Sequence, residues 1–324
     1  MPIGVCAYTF TYRGGFLGNN PEAYNAYTLM DLAVQYGLQG VEFPPEQFLP
    51  NLQHDTLETA RRYAEEKGLF LVADGGQVEA MMLKRLIPAA RALGSRTLRV
   101  ILSGILGGDR RPMAGRWKEH VQYCFDRLNE AKPIAEEYGI TIAIENHSDS
   151  TSDDLFELCE RLDSDTVGVN LDVGNTLAVC EHPVDYARRL LPFLKNVHLK
   201  DYRLYPSSEG YRMARSAIGA GVVDFPTLLP LFDAHHPTLT KTIELGALEA
   251  RHVRMLEDDY WSEYPPRLMT AVLPLLRLYA RNVRPRDEDW RTPFERGEPA
   301  EVLSTYELLE LEESVAYLKR LGAV

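Results

Sequence analysis

Two hydrophobic periods take turns along this chain. Short runs rich in β-branched and aromatic residues occur at 4–10 (GVCAYTF), 40–43 (GVEF), 69–74 (LFLVAD), 97–102 (TLRVIL), 140–145 (ITIAIE), 167–172 (VGVNLD), 196–200 (NVHLK) and 240–245 (TKTIEL). Several are apolar almost throughout, as a parallel strand is when both of its faces are covered. Between them the apolar positions return at helical spacing, over Asn25–Tyr36, Thr56–Lys67, Ala80–Leu93, Lys118–Tyr138, Asp153–Leu162 and Phe225–Ala234. Strand starts lie roughly 27 to 45 residues apart, the length of a βα unit with loops of varied size. Eight such units predict an α/β chain folded as a closed (β/α)8 TIM barrel. A doubly wound open sheet is the competing fold. It calls for a glycine-rich phosphate loop after the first strand, and RGGFLGNN lacks that pattern.

No linker divides the chain. Two further helical segments, Arg267–Ala280 and Tyr306–Leu321, follow the eighth strand among proline-rich and charged stretches. The expected organisation is a barrel over 1–250 and a C-terminal helical extension over 251–324 packed on it. Composition fits a folded enzyme, with 45% hydrophobic and 25% charged residues, and excludes disordered and fibrous classes. The 35 Lys+Arg against 47 Asp+Glu leave a net charge of −12, which repels phosphate backbones, so no nucleic-acid partner is expected. No apolar run reaches membrane-spanning length, and MPIGVCAYTF lacks the basic start of a secretory signal. Cys6, Cys124, Cys159 and Cys180 are scattered, with no CxxC pair to suggest a zinc knuckle or a disulfide framework. A reduced, cytoplasmic protein with buried cysteines follows as the expectation.

In a barrel of this kind the chemistry sits at the C-terminal ends of the strands. There, strand five delivers Glu145, strand six Asp172, strand seven His198 and strand eight Glu244. Any one of them alone reads as a solvated or packing residue. Together, four converging side chains, three of them carboxylates, repel one another unless a cation lies between them. Three carboxylates and an imidazole suit one divalent ion, Mn2+, Mg2+ or Co2+, with Zn2+ also compatible.

The succession IENHSD, NLDVGN, VHLKD and TIEL, with IGAGVVDF between the last two, resembles the xylose-isomerase-like TIM barrels. These include sugar and sugar-phosphate isomerases and epimerases, and are related to the apurinic-site endonucleases. The resemblance covers roughly residues 1–250. It implies a divalent metal held by Glu145, Asp172, His198 and Glu244, and a small sugar-like substrate. It also implies that Glu145 and Glu244 flank the substrate carbon and exchange its proton through an enediolate. The three-metal nuclease branch looks for histidines after strands three and four. Here those places read ADGGQ and LSGIL, and Asn175 stands where both that branch and the ketose 3-epimerases have a histidine. Relatives that eliminate from oxidised sugars open a lyase or dehydratase alternative. A non-catalytic sugar-binding or assembly subunit is the weaker alternative, since all four ligand positions are intact.

Around that set, His147 is a candidate acid/base and Lys200 and Asn175 are candidate substrate contacts. Arg212 and Arg215, in what reads as a long loop after strand seven, could meet a phosphate or carboxylate. Tyr8 and Phe43 could offer ring faces to a sugar. A homo-oligomer or a partner subunit is compatible with the chain.

Overall fold

A computed structural model describes residues 2–18, 20 and 22–324. Its strands are β1 (Ile3–Cys6), β2 (Gly40–Phe43), β3 (Phe70–Gln77), β4 (Thr97–Ile101), β5 (Thr141–Glu145) and β6 (Val167–Asp172). They continue as β7 (Leu194–Leu199), β8 (Asp201–Pro206), β9 (Tyr211–Ser216), β10 (Lys241–Ile243) and β11 (Arg251–Val253). Helices α1 (Ala26–Tyr36), α2 (Pro45–Phe48), α3 (His54–Glu66), α4 (Ala80–Leu93), α5 (Trp117–Tyr138) and α6 (Ser152–Leu162) lie between the earlier strands. Then come α7 (Pro183–Leu190), α8 (Phe225–His235), α9 (Met269–Asn282) and α10 (Ala300–Arg320).

Strands β1 to β7 pair in parallel and in order, and β10 closes the ring between β7 and β1. The fold is the TIM barrel that the alternating pattern predicts. All residues of β1, β2 and β6 are buried, consistent with their unbroken apolar runs. Helix starts are encoded locally. The Asn25 side chain accepts from the Tyr27 and Thr28 backbone N–H groups, and Thr28 accepts from Asn25 N–H in return. All four cysteines are free and buried. No helix among the described residues is long and apolar enough to cross a membrane.

Several boundaries differ from the sequence pattern, each for a local reason. The first strand stops at Cys6, and Ala7–Thr9 turn in a short 3-10 helix held by Thr9 Oγ1 donating to Ile243 O at 2.7 Å. Strand three runs on to Gln77 through an irregularity in register between Asp74 and Gln77. The eighth barrel strand covers only Lys241–Ile243, so Glu244 sits just beyond it. Helix α7, entered at Pro183, is absent from the segments marked helical by periodicity.

The largest difference follows strand seven. The expected loop is a hairpin of β8 and β9, joined by β11 into a three-stranded antiparallel sheet. Its signal is present in the sequence, as two runs of six residues around SSEG. Residues on both sides of position 250 therefore share one sheet.

Beyond it, α10 is tied into the barrel mouth. Buried Glu307 accepts the backbone N–H groups of Tyr12 at 2.8 Å and Arg13 at 3.0 Å. Buried Arg215 donates to Glu310 at 2.7 Å, to Gly246 O at 2.7 Å and to Thr9 O at 3.1 Å. One guanidinium thus joins α10 to the loops that follow β1 and β10.

Asp201 organises the return from the hairpin. Its carboxylate accepts from the backbone N–H groups of Tyr202, Gly219, Gly221 and Val223 at 2.9–3.0 Å. This explains the glycines of IGAGVVDF. Gly219 has φ +84°, and a Cβ at Gly221 would stand 2.2 Å from the Asp201 carboxylate. A donor stripped of its acceptor away from water costs about 1–3 kcal/mol. Asp201→Ala is therefore expected to lower the melting temperature by several degrees, read by scanning calorimetry. An unchanged melting temperature would remove Asp201 from this role.

Candidate metal and substrate site

The strand ends bring the four nominated residues together. Asp172 and His198 are register partners across β6 and β7, and His198 partners Thr242 of β10. Glu145 ends β5, and Glu244 follows β10 with its N–H on Leu199 O. One ligand atom from each of Glu145, Asp172, His198 and Glu244 lies within 4.8 Å of all the others.

His198 shows how the set is oriented. Its Nε2 meets Glu42 Oε1 at 2.6 Å, and the other Glu42 oxygen accepts from Thr242 at 2.6 Å and Asn196 at 3.2 Å. This fixes the ring so that Nδ1 faces Glu145 and Glu244, each with an oxygen 3.6 Å away. Nδ1 itself makes no hydrogen bond, although the residue is wholly buried. A partnerless imidazole nitrogen among three carboxylates fits a divalent cation. Its second nitrogen held by a carboxylate is the usual outer support of a metal-binding histidine. The donor set accordingly fits the ion expected from the sequence.

The same carboxylates face two cationic side chains. Arg99, from β4, forms an ion pair with Glu145. Lys200 Nζ is 2.6 Å from Asp172 Oδ2 and pairs also with Glu244. Burial pushes the Glu145 carboxyl upward, but Arg99 and His198 outweigh it and hold the group down at about 2. Burial likewise acts on Glu42, yet His198 and the hydrogen bonds around it bring the carboxyl to about 2. Asp172 is pushed up to about 7 by burial despite the lysine beside it. Burial also holds His147 down at about 4, which leaves its imidazole neutral.

Two amides lock the arrangement. Asn146 exchanges hydrogen bonds of 2.8 Å with the backbone of Asp172, coupling the ends of β5 and β6. Asn175 donates to Glu145 at 3.3 Å and accepts from the Tyr202 hydroxyl at 3.2 Å. Next to His147, Ser148 takes a left-handed backbone with φ 67°, a rare state for a residue with a side chain.

A cavity of about 300 Å³ opens onto this cluster. Of the residues nominated from the sequence, Tyr8, His147, Asn175, Lys200 and Glu244 line it. Glu145, Asp172 and His198 are fully buried and outside the lining, joined to it through Arg99 and Lys200. Phe43 is in the core, its ring 6.0 Å from that of Phe48. Arg212 lies over the Trp290 ring at 4.2 Å, and Arg215 spends its donors on Glu310, Gly246 and Thr9. The structure does not bring these three to the cavity wall. Conversely, Arg99, Arg251, Phe16, Tyr202 and Gly75 line it although the strand-end pattern does not point to them. Arg99 and Glu42 carried a signal, a charged residue inside an otherwise apolar strand.

Residues 30–252 match the family model of the xylose isomerase-like TIM barrels. The chain belongs to this family. A 3-oxo-isoapionate decarboxylase of Pectobacterium atrosepticum is 22% identical over 246 residues, which span 75% of this chain and 85% of that one. A D-psicose 3-epimerase solved in the presence of D-fructose superposes with a TM-score of 0.64 at 13% identity, covering 100% of both chains. A xylose isomerase-like barrel of Mycobacterium smegmatis in complex with magnesium gives a TM-score of 0.57 at 16% identity, over 94% of this chain and 97% of that one. At such identities the two solved structures speak to the fold.

Two substitutions should separate support from competition. Glu42→Gln weakens the hold on His198 and is expected to lower affinity for Mn2+ by about 10- to 100-fold. Lys200→Met removes the cation that competes for Asp172 and Glu244. Calorimetric titration should show tighter Mn2+ binding, and the metal-free protein should melt at a lower temperature because its carboxylates lose their counter-charge. Unchanged affinity in both variants would mean that the ion binds elsewhere.

Proposed function

We propose that this protein is a divalent-metal-dependent isomerase or epimerase of a sugar or polyol derivative, moving a proton beside a carbonyl through an enediolate. The carrying observation is the meeting of Glu145, Asp172, His198 and Glu244 ligand atoms within 4.8 Å beside a cavity of sugar size. Mn2+, Mg2+ or Co2+ suits this donor set, with Zn2+ also compatible. When held there, the ion supplies Lewis-acid stabilisation of the negative charge that develops on substrate oxygens.

The rest of the chemistry belongs to the chain. Glu244 lines the cavity and, kept ionised by Lys200 and His198 against the push of burial, is placed to take a proton from a substrate carbon. Glu145 flanks His198 on the side of β5 and serves as the second proton carrier. His147, neutral and facing the same cavity, acts beside Glu145 as an auxiliary acid or base. Lys200 and Asn175 offer hydrogen bonds to substrate oxygens. The Tyr8 ring, stacked on Phe16 with centroids 4.7 Å apart, offers a flat wall to C–H groups. The likeness to a D-psicose 3-epimerase supports this reading through a shared barrel.

A second reading is a lyase. One observation favours it, namely that three cationic side chains, Arg99, Lys200 and Arg251, line the cavity, where an anionic oxo acid would be drawn. The relative named 3-oxo-isoapionate decarboxylase points the same way. Loss of carbon dioxide beside a carbonyl leaves an enolate that needs the same reprotonation.

Glu145→Gln and Glu244→Gln, assayed at saturating metal, are each expected to lower turnover by about 10²-fold or more. Reaction in D2O with a panel of ketoses and oxo sugar acids should place deuterium on one carbon next to the former carbonyl. Full turnover by both variants, without deuterium at that carbon, would rule out proton transfer. Conserved mass marks the isomerase, and release of carbon dioxide or water marks the lyase.

A further inference from the structure

Three cationic side chains reach the cavity wall, Arg99, Lys200 and Arg251. Glu244 lines the wall beside them, and Glu145 and Asp172 are buried next to it. Two of the three cations are already paired, Arg99 with Glu145 and Lys200 with Asp172 and Glu244. Arg251 is not. Its side chain is only 19% exposed, and its nearest acid, Glu249, is 58% exposed and 4.0 Å away. Among the described residues, no group accepts a hydrogen bond from the Arg251 guanidinium.

A guanidinium has five N–H donors in a planar fork, and Arg251 lines the cavity with its donors still open to solvent. Its backbone is held, since Arg251 opens β11 and pairs with Met213 of β9. The side chain is therefore presented from a sheet and not from a free loop. It shares the cavity wall with Tyr202, whose hydroxyl leads through Asn175 to Glu145. An anion on Arg251 would lie at the sheet side of the cavity, with the rest of the molecule over the carboxylate cluster.

We infer that Arg251 is the specificity-determining residue of this cavity and that the substrate is a sugar acid, bound through its carboxylate. The inference rests on the proposed function only in taking this cavity as the substrate site. One free fork matches a planar carboxylate through two parallel hydrogen bonds. A phosphate would draw on a cluster of donors, and here the other two cations are engaged.

The test is calorimetric binding of D-gluconate, D-glucitol and D-glucitol 6-phosphate to the full chain at saturating Mg2+. These probes share a carbon skeleton and differ in the terminal group. Gluconate should bind wild-type protein more tightly than either of the others. Arg251→Met should weaken gluconate by about 10- to 100-fold, the scale of a lost charge-assisted pair, and leave glucitol unchanged. Arg251→Lys, which keeps the charge without the fork, should fall between. The melting temperature of each unliganded variant shows that it is folded, and if the Met variant is not, the Lys variant carries the test. Gluconate binding no better than glucitol, or unaltered by substitution, overturns the inference. Tighter binding of the phosphate ester overturns the assignment to a carboxylate. Because the readout is binding, it stands apart from turnover. Active Gln variants would sink the proton-transfer reading while leaving the Arg251 result intact.

Discussion

Five carboxylates gathered at one end of a closed barrel impose the constraint that the rest of the site answers. Glu42, Asp74, Glu145, Asp172 and Glu244 are each at most 4% exposed. Ionised groups so close together and so far from water repel strongly unless cations stand between them. The sequence interleaves those cations strand by strand. His198 of β7 faces Glu42, Arg99 of β4 faces Glu145, and Lys200 after β7 bridges Asp172 and Glu244. Asp74 has no such partner, and burial, with Glu42 beside it, pushes its carboxyl well above the usual range. The unequal treatment has a purpose. Glu42, Glu145 and Glu244, beside His198, Arg99 and Lys200, are held low and can hold a cation or accept a proton, whereas burial lifts Asp172 even next to Lys200.

Placement of these charges depends on the barrel being held closed at its mouth. Short strands leave the chain free to turn immediately beyond the sheet, as at Ala7–Thr9 and after Ile243. Those turns need ties of their own. Arg215 and Glu307 provide them by joining the loops after β1 and β10 to α10. The C-terminal helix is thus part of what keeps Glu244 and Tyr8 in position, though it contributes no residue to the cavity lining.

The strand order and the convergence of Glu145, Asp172, His198 and Glu244 were legible because both follow simple rules. Parallel strands read as apolar runs, and functional groups sit where those runs end. Charges inside the runs were harder to weigh. Arg99 in TLRVIL and Glu42 in GVEF look like interruptions of a strand until the opposing strands supply their partners, which one strand cannot reveal. The hairpin after strand seven was missed for a related reason. Read as a loop, it offered Arg212 and Arg215 to the cavity. As β9 it fixes them three residues apart on opposite faces, with partners elsewhere, Arg212 on Trp290 and Arg215 on Glu310. The arginine of this sheet that does reach the cavity, Arg251, belongs to its third strand and has no sequence signal apart from that pairing.

The site therefore divides between two kinds of scaffold. Groups that must keep fixed distances from one another sit at the ends of barrel strands, where register determines their spacing to a fraction of a residue. Arg251 sits on the appended antiparallel sheet, which is built from the connection after β7 and the segment after β10. Length and sequence in such connections can change without disturbing barrel register. A barrel that keeps Glu145, Asp172, His198 and Glu244 can accordingly alter what lines the cavity by altering the added sheet. One part of the chain then sets the carboxylate cluster and another the wall beside it, and each can vary while the other is kept.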